Sequence, residues 1–235
     1  MSDIIEIKRN ALSKTALFNS LTPTELEHLA IMSKLLTIDP QQVLFMKGDA
    51  GDRLFIVIKG IVRISSMSAD GRETTLNLMG AGQMFGEIAV LDGGQRTADA
   101  TAVDVTELLA IERRDLFAFL ERHPKCCIRM LANCAERLRW ISGLLEDANY
   151  LDLSARLAKR LLLLARMFGR SVAEGIRIDI RLSQQDLATH MNVTRESVNK
   201  MIHAWEQDGL VKTGRGWVVV RNELALEDLA NTESA

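Results

Sequence analysis

The sequence predicts an α+β chain: an N-terminal antiparallel barrel or roll of short strands, one long helix, and a C-terminal helical domain that ends in a hairpin. Three observations predict it. Short β-rich runs alternate with glycines between Val43 and Ile111; a narrow apolar seam at helical spacing follows Arg113; and two short amphipathic helices precede an alternating, glycine-tipped segment from Leu210 to Val220. A length of 235 residues suits two domains, and a hydrophobic fraction of 47% fills a core without approaching membrane composition.

Taken in order, Thr22-Pro23-Thr24-Glu25 combines a capping hydroxyl, proline at the first helical position and a carboxylate, so a helix should run from there towards Met32. Strands are expected over Leu54–Ile58, Ile61–Ile64, Thr74–Leu78, Ala100–Val103 and Glu107–Ile111, with Asp70-Gly71 as a hairpin turn. Further on, Leu131, Ala135, Leu138, Ser142, Leu145 and Asn149 recur at alternating spacings of four and three, which draws a seam suited to a coiled-coil partner. A dimerisation helix is expected there; the alternative is that the seam packs on the chain's own roll. Asp152 and Ser154 interrupt the pattern before a second helix, Ala155 to Phe168, followed by a loop from Arg170 to Gly175 and a strand-like Ile176–Ile180. The expected division is an N-terminal domain over 1–124, the long helix over 125–150 and a C-terminal domain over 151–235.

Composition excludes several function classes. Cys126, Cys127 and Cys134 fall in one helical segment without a CxxC, and the four histidines are scattered, so buried thiols are expected rather than a disulfide framework or a metal. With neither a metal cluster nor an activated nucleophile, no catalysis is expected. The N-terminus lacks an apolar run of signal length, and the longest aliphatic stretch, Leu161 to Ala165, is far too short to span a bilayer, so a cytoplasmic protein without a membrane partner is expected. A net charge of −2 means that any nucleic-acid contact must come from a local surface.

Such a surface is legible near the C-terminus. Ser183-Gln184-Gln185-Asp186 is a capping-box-like start, and Leu187, Ala188 and Met191 share one face of a short helix. Asn192 suits a left-handed turn position, and Thr194 can cap a second helix that buries Val198, Met201, Ile202 and Trp205. Arg195, Glu196, Asn199 and Lys200 are then left on its outer, N-terminal surface, joined by Thr194 and Ser197. A helix-turn-helix inserts that part of its second helix into the major groove, where arginine reads guanine, glutamate reads cytosine, and asparagine or lysine reads purines. The segment from Leu210 to Val220 alternates into a hairpin with Arg215 at its tip, placed as a wing near phosphate. The alternative is a winged helix for protein contacts, or a plain three-helix bundle.

In the N-terminal half the informative run is Phe85 to Ala102. Gly86 allows close backbone approach, one helical turn spans Glu87, Ile88, Ala89 and onward to Leu91, Gly93–Gly94 form a mobile pair, and Arg96-Thr97 precede a small-residue strand. Backbone N–H groups at a helix start plus an arginine suit one phosphate. Glu87 would repel that phosphate, so it needs a different partner, and a sugar hydroxyl that donates to a carboxylate is the natural one.

This run, with Val43-Leu44-Phe45-Met46-Lys47-Gly48-Asp49 and Ile58-Lys59-Gly60 upstream, resembles the phosphate-binding cassette and β-roll of cyclic-nucleotide-binding domains. The whole order, through the winged helix-turn-helix with Thr194-Arg195-Glu196-Ser197-Val198-Asn199-Lys200, resembles the cyclic AMP receptor protein/FNR superfamily of transcription regulators over about Leu17 to Val220. The resemblance implies cyclic AMP or cyclic GMP as effector, a homodimer, a palindromic double-stranded DNA operator, and RNA polymerase as a partner. It implies backbone N–H donation from Gly86 and Ala89, Glu87 on the ribose 2′-hydroxyl, Arg96 on the cyclic phosphate, Thr97 beside phosphate or base, and Ser142 reaching the base from the partner subunit. Ile141 stands where the cyclic AMP receptor has an adenine-contacting threonine, and Lys200 where the family usually has arginine. No cysteine precedes Cys126, so the N-terminal cluster of the iron–sulfur branch is absent, and no histidine lies within the roll.

Overall fold

The structure is a computed structural model, and it describes residues 2–68, 71, 73–180, 184–191 and 193–232. The chain forms two compact units, residues 1–67 with 76–137 and residues 68–75 with 138–235.

The first unit opens with α1 (Ser2–Lys14) and α2 (Pro23–Met32). Thr22 and Glu25 close the expected capping box of α2, each bonding the other's end of the first turn. The roll follows as β1 (Lys34–Ile38), β2 (Val43–Phe45), β3 (Arg53–Lys59), β4 (Val62–Met67), β5 (Glu73–Met79) and β6 (Met84–Phe85). It continues through α3 (Glu87–Asp92) to β7 (Asp99–Ala102) and β8 (Thr106–Glu112). Two four-stranded sheets result, ordered β1-β8-β3-β6 and β2-β7-β4-β5. Strands β3 and β8 read as unbroken apolar runs because both of their faces are covered. Phe55, Val57, Leu108 and Ala110 point between the sheets towards Ile38, Val62, Phe85 and Ala100. Leu54, Ile56, Leu109 and Ile111 point the other way, into a core with Leu12, Phe18 and Leu29 of the N-terminal segment and with residues of the helices that follow β8. Those helices are α4 (Arg113–Arg122) and α5 (Pro124–Tyr150).

In the second unit, α6 (Leu153–Phe168) is capped by Asp152, which accepts from the Ala155 amide at 2.8 Å. Strands β9 (Gly169–Val172) and β10 (Gly175–Ile178) precede α7 (Gln184–Met191) and α8 (Arg195–Gln207). Strands β11 (Val211–Gly214) and β12 (Trp217–Val220) and helix α9 (Glu223–Ala230) complete the domain. Its sheet is ordered β11-β12-β10-β9. Leu157, Ala158, Leu161, Leu164 and Ala165 of α6 are buried with Leu187, Ala188, Val198, Ile202 and Trp205 of the two short helices.

Several expectations are corrected. The first half of the expected loop over Arg170–Gly175 is strand β9, paired to β10 through Ser171 and Ile176. Its side chains are largely exposed, so it carries no apolar period to read. The roll begins before Val43, with β1 paired along β8 from Lys34 to Ile38. Of the three cysteines in α5 only Cys126 is buried; Cys127 and Cys134 are half-buried and all three are free. The Gly93–Gly94 pair is held rather than loose. Gly93 caps α3 in the left-handed region, donating to Ala89 O at 3.0 Å, and the Gly94 amide donates to Asp92 Oδ1 at 2.8 Å. Asp70, Leu182, Ser183 and Asn192 lie outside the described residues, so the expected hairpin turn, the expected capping start before α7 and the expected turn between α7 and α8 do as well.

Candidate functional site

Gly86, Glu87, Ile88, Ala89, Arg96 and Thr97 line one cleft in the first unit, together with Phe45, Ile64, Phe85, Ala98 and Arg137. Its enclosed volume is about 50 Å³, the scale of a phosphate-sized group. Gly86 sits at the N-terminus of α3 with φ of 79°, and a Cβ there would lie 2.6 Å from Arg96 Nη1. Only glycine meets both demands. No side chain caps α3, so its first amides are left for another acceptor.

Arg96 is 5% exposed and fixed on three sides. Nη1 donates to Gly86 O and Nη2 to Arg53 O, each at 2.8 Å, while the guanidinium lies 4.2 Å over the Phe45 ring. Burial pulls its pKa below the ordinary arginine value, partly offset by Asp52, Glu87 and Asp49. After these contacts Nε remains buried with no hydrogen-bond partner. Glu87 is 1% exposed. Its Oε1 lies 2.6 Å from Arg137 Nη1 in an ion pair, while Oε2 has no hydrogen-bond partner. Arg137 also donates from Nη2 to Met84 O at 2.6 Å. The cleft therefore holds a buried donor on a cation and a buried acceptor on an anion, both unsatisfied, which is costly unless a ligand answers them.

Sequence reasoning missed Arg137 and Phe45. Arg137 reads there as one of the charges flanking the seam, and its pairing with Glu87 spans fifty positions that no periodicity links. Phe45 stands in a run that resembles the β-roll, and Arg96, which it contacts, lies far from it in sequence. Ile141 and Ser142 are both exposed on α5 in the second unit and are absent from the cleft lining.

In the second unit, Thr194 caps α8 by accepting from the Ser197 amide at 3.2 Å, and the two hydroxyls pair at 2.8 Å. Val198, Ile202 and Trp205 are buried and Met201 half-buried, so the remaining face points outward. Arg195, Glu196 and Lys200 are exposed on it and make no hydrogen bond or ion pair among the described residues; Asn199 is half-buried with Oδ1 unpartnered. Gln184 and Gln185 fall in the first turn of α7. Glu206, near the end of α8, accepts from the Thr213 amide and hydroxyl at 2.8 and 2.7 Å, which ties the reader helix to the wing. Arg215 is exposed at the tip of that hairpin, and Trp217 behind it is covered by the Arg177 guanidinium at 4.5 Å. Among the described residues no helix is long and apolar enough to cross a membrane, and no cluster of three or more His, Cys, Asp or Glu side chains could hold a metal.

Comparison with known proteins finds a family match in each half of the chain. Residues 35–123 match the cyclic nucleotide-binding domain family, and residues 155–229 match the Crp-like helix-turn-helix domain family. The chain is 35% identical over 215 residues to the Cyclic AMP receptor protein of Thermus thermophilus, covering 91% of this chain and 96% of that one. It is 29% identical over 192 residues to the Global nitrogen regulator of a Synechocystis species, covering 81% and 85%. The crystal structure of a CRP-family transcriptional regulator from Thermus thermophilus superposes with a TM-score of 0.72 at 25% identity, covering 84% of this chain and 97% of that one. The chain belongs to the cyclic AMP receptor protein/FNR superfamily of transcription regulators, with an N-terminal cyclic nucleotide-binding domain and a C-terminal helix-turn-helix domain.

Proposed function

We propose that the chain is a cytoplasmic homodimeric regulator that binds cyclic AMP or cyclic GMP in the α3 cleft and a palindromic DNA operator through α8. One observation carries the effector reading: the cleft pairs the orphan Arg96 Nε–H with the orphan Glu87 Oε2. A ligand that satisfies both must present an anion to one and a hydroxyl donor to the other, as a cyclic phosphate and the adjoining ribose 2′-hydroxyl do. The phosphate enters the enclosed part, where the amides at Gly86 to Ala89 and the Thr97 hydroxyl complete its contacts. The contact with Arg137 fixes the Glu87 carboxylate in place for the ribose.

The base extends beyond the enclosed volume towards the long helix, where Ile141 and the partner's Ser142 are its proposed contacts. Domain limits at 124 and 150 follow from this division of labour. Ile141 offers only a methyl-bearing surface, which weakens discrimination for adenine. That favours, as the second reading, a regulator of the same kind whose roll answers another signal, and the likeness to a nitrogen regulator is in keeping with it. Calorimetric titration of the full chain with each cyclic nucleotide separates the readings. Saturable binding of either at one site per chain supports the first, and absence of heat from both in a folded sample leaves the second.

For DNA, Ser183, Gln184, Gln185, Thr194, Ser197 and Arg215 are proposed to position the domain on phosphates, while Arg195, Glu196, Asn199 and Lys200 read bases. Half-sites about one helical turn, ~34 Å, apart follow from the two-fold axis, and RNA polymerase is the expected downstream partner. Arg195→Ala should cost about 1–3 kcal/mol on the preferred sequence and relax one base position in each half-site, read by binding to a library of operator variants. An unaltered preference at every position removes Arg195 from the reading set.

A further inference from the structure

A second cleft lies in the first unit, between α2 and α4, remote in sequence from every residue assigned above. It is lined by His28, Ile31 and Met32 of α2 and by Ala118, Phe119, Arg122 and His123 at the end of α4, and its volume is about 320 Å³. That is about twice a cavity of ~150 Å³ that accepts benzene. The floor is apolar: Phe119 is buried, and Ile31 stands 60% exposed at the edge. The rim is basic, with no carboxylate among the lining residues.

Two features make this more than a gap between helices. First, its polar wall is fixed in place. His123 stacks on Phe119 with ring centroids 4.1 Å apart, and its Nδ1 lies 3.2 Å from Glu25 Oε1. The other oxygen of Glu25 is already used by the Thr22 amide and hydroxyl in the α2 capping box, at 2.7 and 2.8 Å. One carboxylate thus locks the helix start and the imidazole together. Second, the remaining basic side chains are unspent: neither Arg122 nor His28 has a hydrogen bond or ion pair among the described residues.

We propose that the cleft between α2 and α4 binds a small organic carboxylate with an aromatic body, its ring on Ile31, Met32 and Phe119 and its carboxylate on Arg122 and His28. An apolar floor of this size with a few convergent polar groups at one edge is the usual form of a small-molecule site. The planar guanidinium matches a carboxylate through two parallel hydrogen bonds. Charge complementarity selects the anion, and the aromatic floor selects the body. The site stands independently of the α3 cleft.

The test uses 3-phenylpropionate and its neutral analogue 3-phenylpropionamide, added to the full chain while backbone amide resonances are followed. The acid is expected to give saturable shifts confined to Ile31, Met32 and the stretch from Ala118 to His123. The amide should bind at least about tenfold more weakly, and Arg122→Gln should weaken the acid by a similar factor. Because Arg122 is exposed and unpartnered, the variant should melt with the parent, which keeps the comparison clean. Absence of saturable shifts, equal binding of acid and amide, or indifference to Arg122→Gln overturns the proposal. So do shifts centred on Gly86–Ala89, or a response to an acidic peptide alone, which would make the surface a protein-docking face instead.

Discussion

Replacing Arg96 with alanine is expected to weaken cyclic-nucleotide binding by about 30-fold or more. Removing one partner of a buried, hydrogen-bonded charge contact costs about 2–5 kcal/mol, and each 1.4 kcal/mol is tenfold in affinity. The residue lies where that range applies, because it is buried and its Nε has no internal partner to fall back on. The substitution also frees the Gly86 and Arg53 carbonyls and uncovers the Phe45 ring, so some loss of thermal stability should accompany it. Arg96→Lys separates the effects. Lysine keeps the charge but lacks the fork that holds both carbonyls, and should bind more weakly than the parent and better than alanine. Titration calorimetry beside a thermal melt checks this, and an unchanged dissociation constant in a folded Arg96→Ala sample would place the phosphate elsewhere.

The second large effect is expected at the seam. Leu131, Leu138 and Leu145, seven residues apart on α5, are 69%, 66% and 62% exposed. A second copy of the chain is the partner proposed to bury them. Burying a leucine contributes about 1.5–3 kcal/mol, and a two-fold interface loses it twice. Leu138→Glu further sets two carboxylates against each other in the seam. The dimer constant should rise by a hundredfold or more on this estimate, leaving a folded monomer, since the side chain contributes little to the isolated unit. DNA affinity should fall with it, because one recognition helix contacts only one half-site. Sedimentation velocity, circular dichroism and gel retardation read the three outcomes, and a stable dimer that still binds DNA would contradict the seam.

How much of this was legible in the sequence depended on whether the signal was local. Thr22, Glu25 and Thr194 announce helix starts through side chains that act within their own first turn, and the structure places each as a cap or capping partner; Asp152, legible only as a break in the seam, is a cap as well. The face of α8 was readable because Val198, Ile202 and Trp205 follow helical period. Strand β9 was not, since Gly169, Arg170 and Ser171 are exposed and present no apolar period, their strand being set by backbone pairing to β10. At the α3 cleft the local run exposed Gly86, Glu87 and Arg96, but the groups that decide their state come from far along the chain. Phe45 supports Arg96 from β2, and Arg137 neutralises Glu87 from α5. The supposed mobility of Gly93–Gly94 also failed for a structural reason, since left-handed glycine is here a helix cap.

We propose further that effector binding in the α3 cleft raises DNA affinity, and ligand-dependent DNA binding tests this most directly. Fluorescence anisotropy of the full chain on a duplex selected by the protein itself should show affinity rising about 5- to 150-fold in saturating cyclic AMP or cyclic GMP, the usual span of a coupling of 1–3 kcal/mol. Linear 5′-AMP should have no effect, and Arg96→Ala should lose the response while keeping the basal affinity. Equal DNA affinity with and without nucleotide, in a sample that calorimetry shows to be saturated, would contradict it.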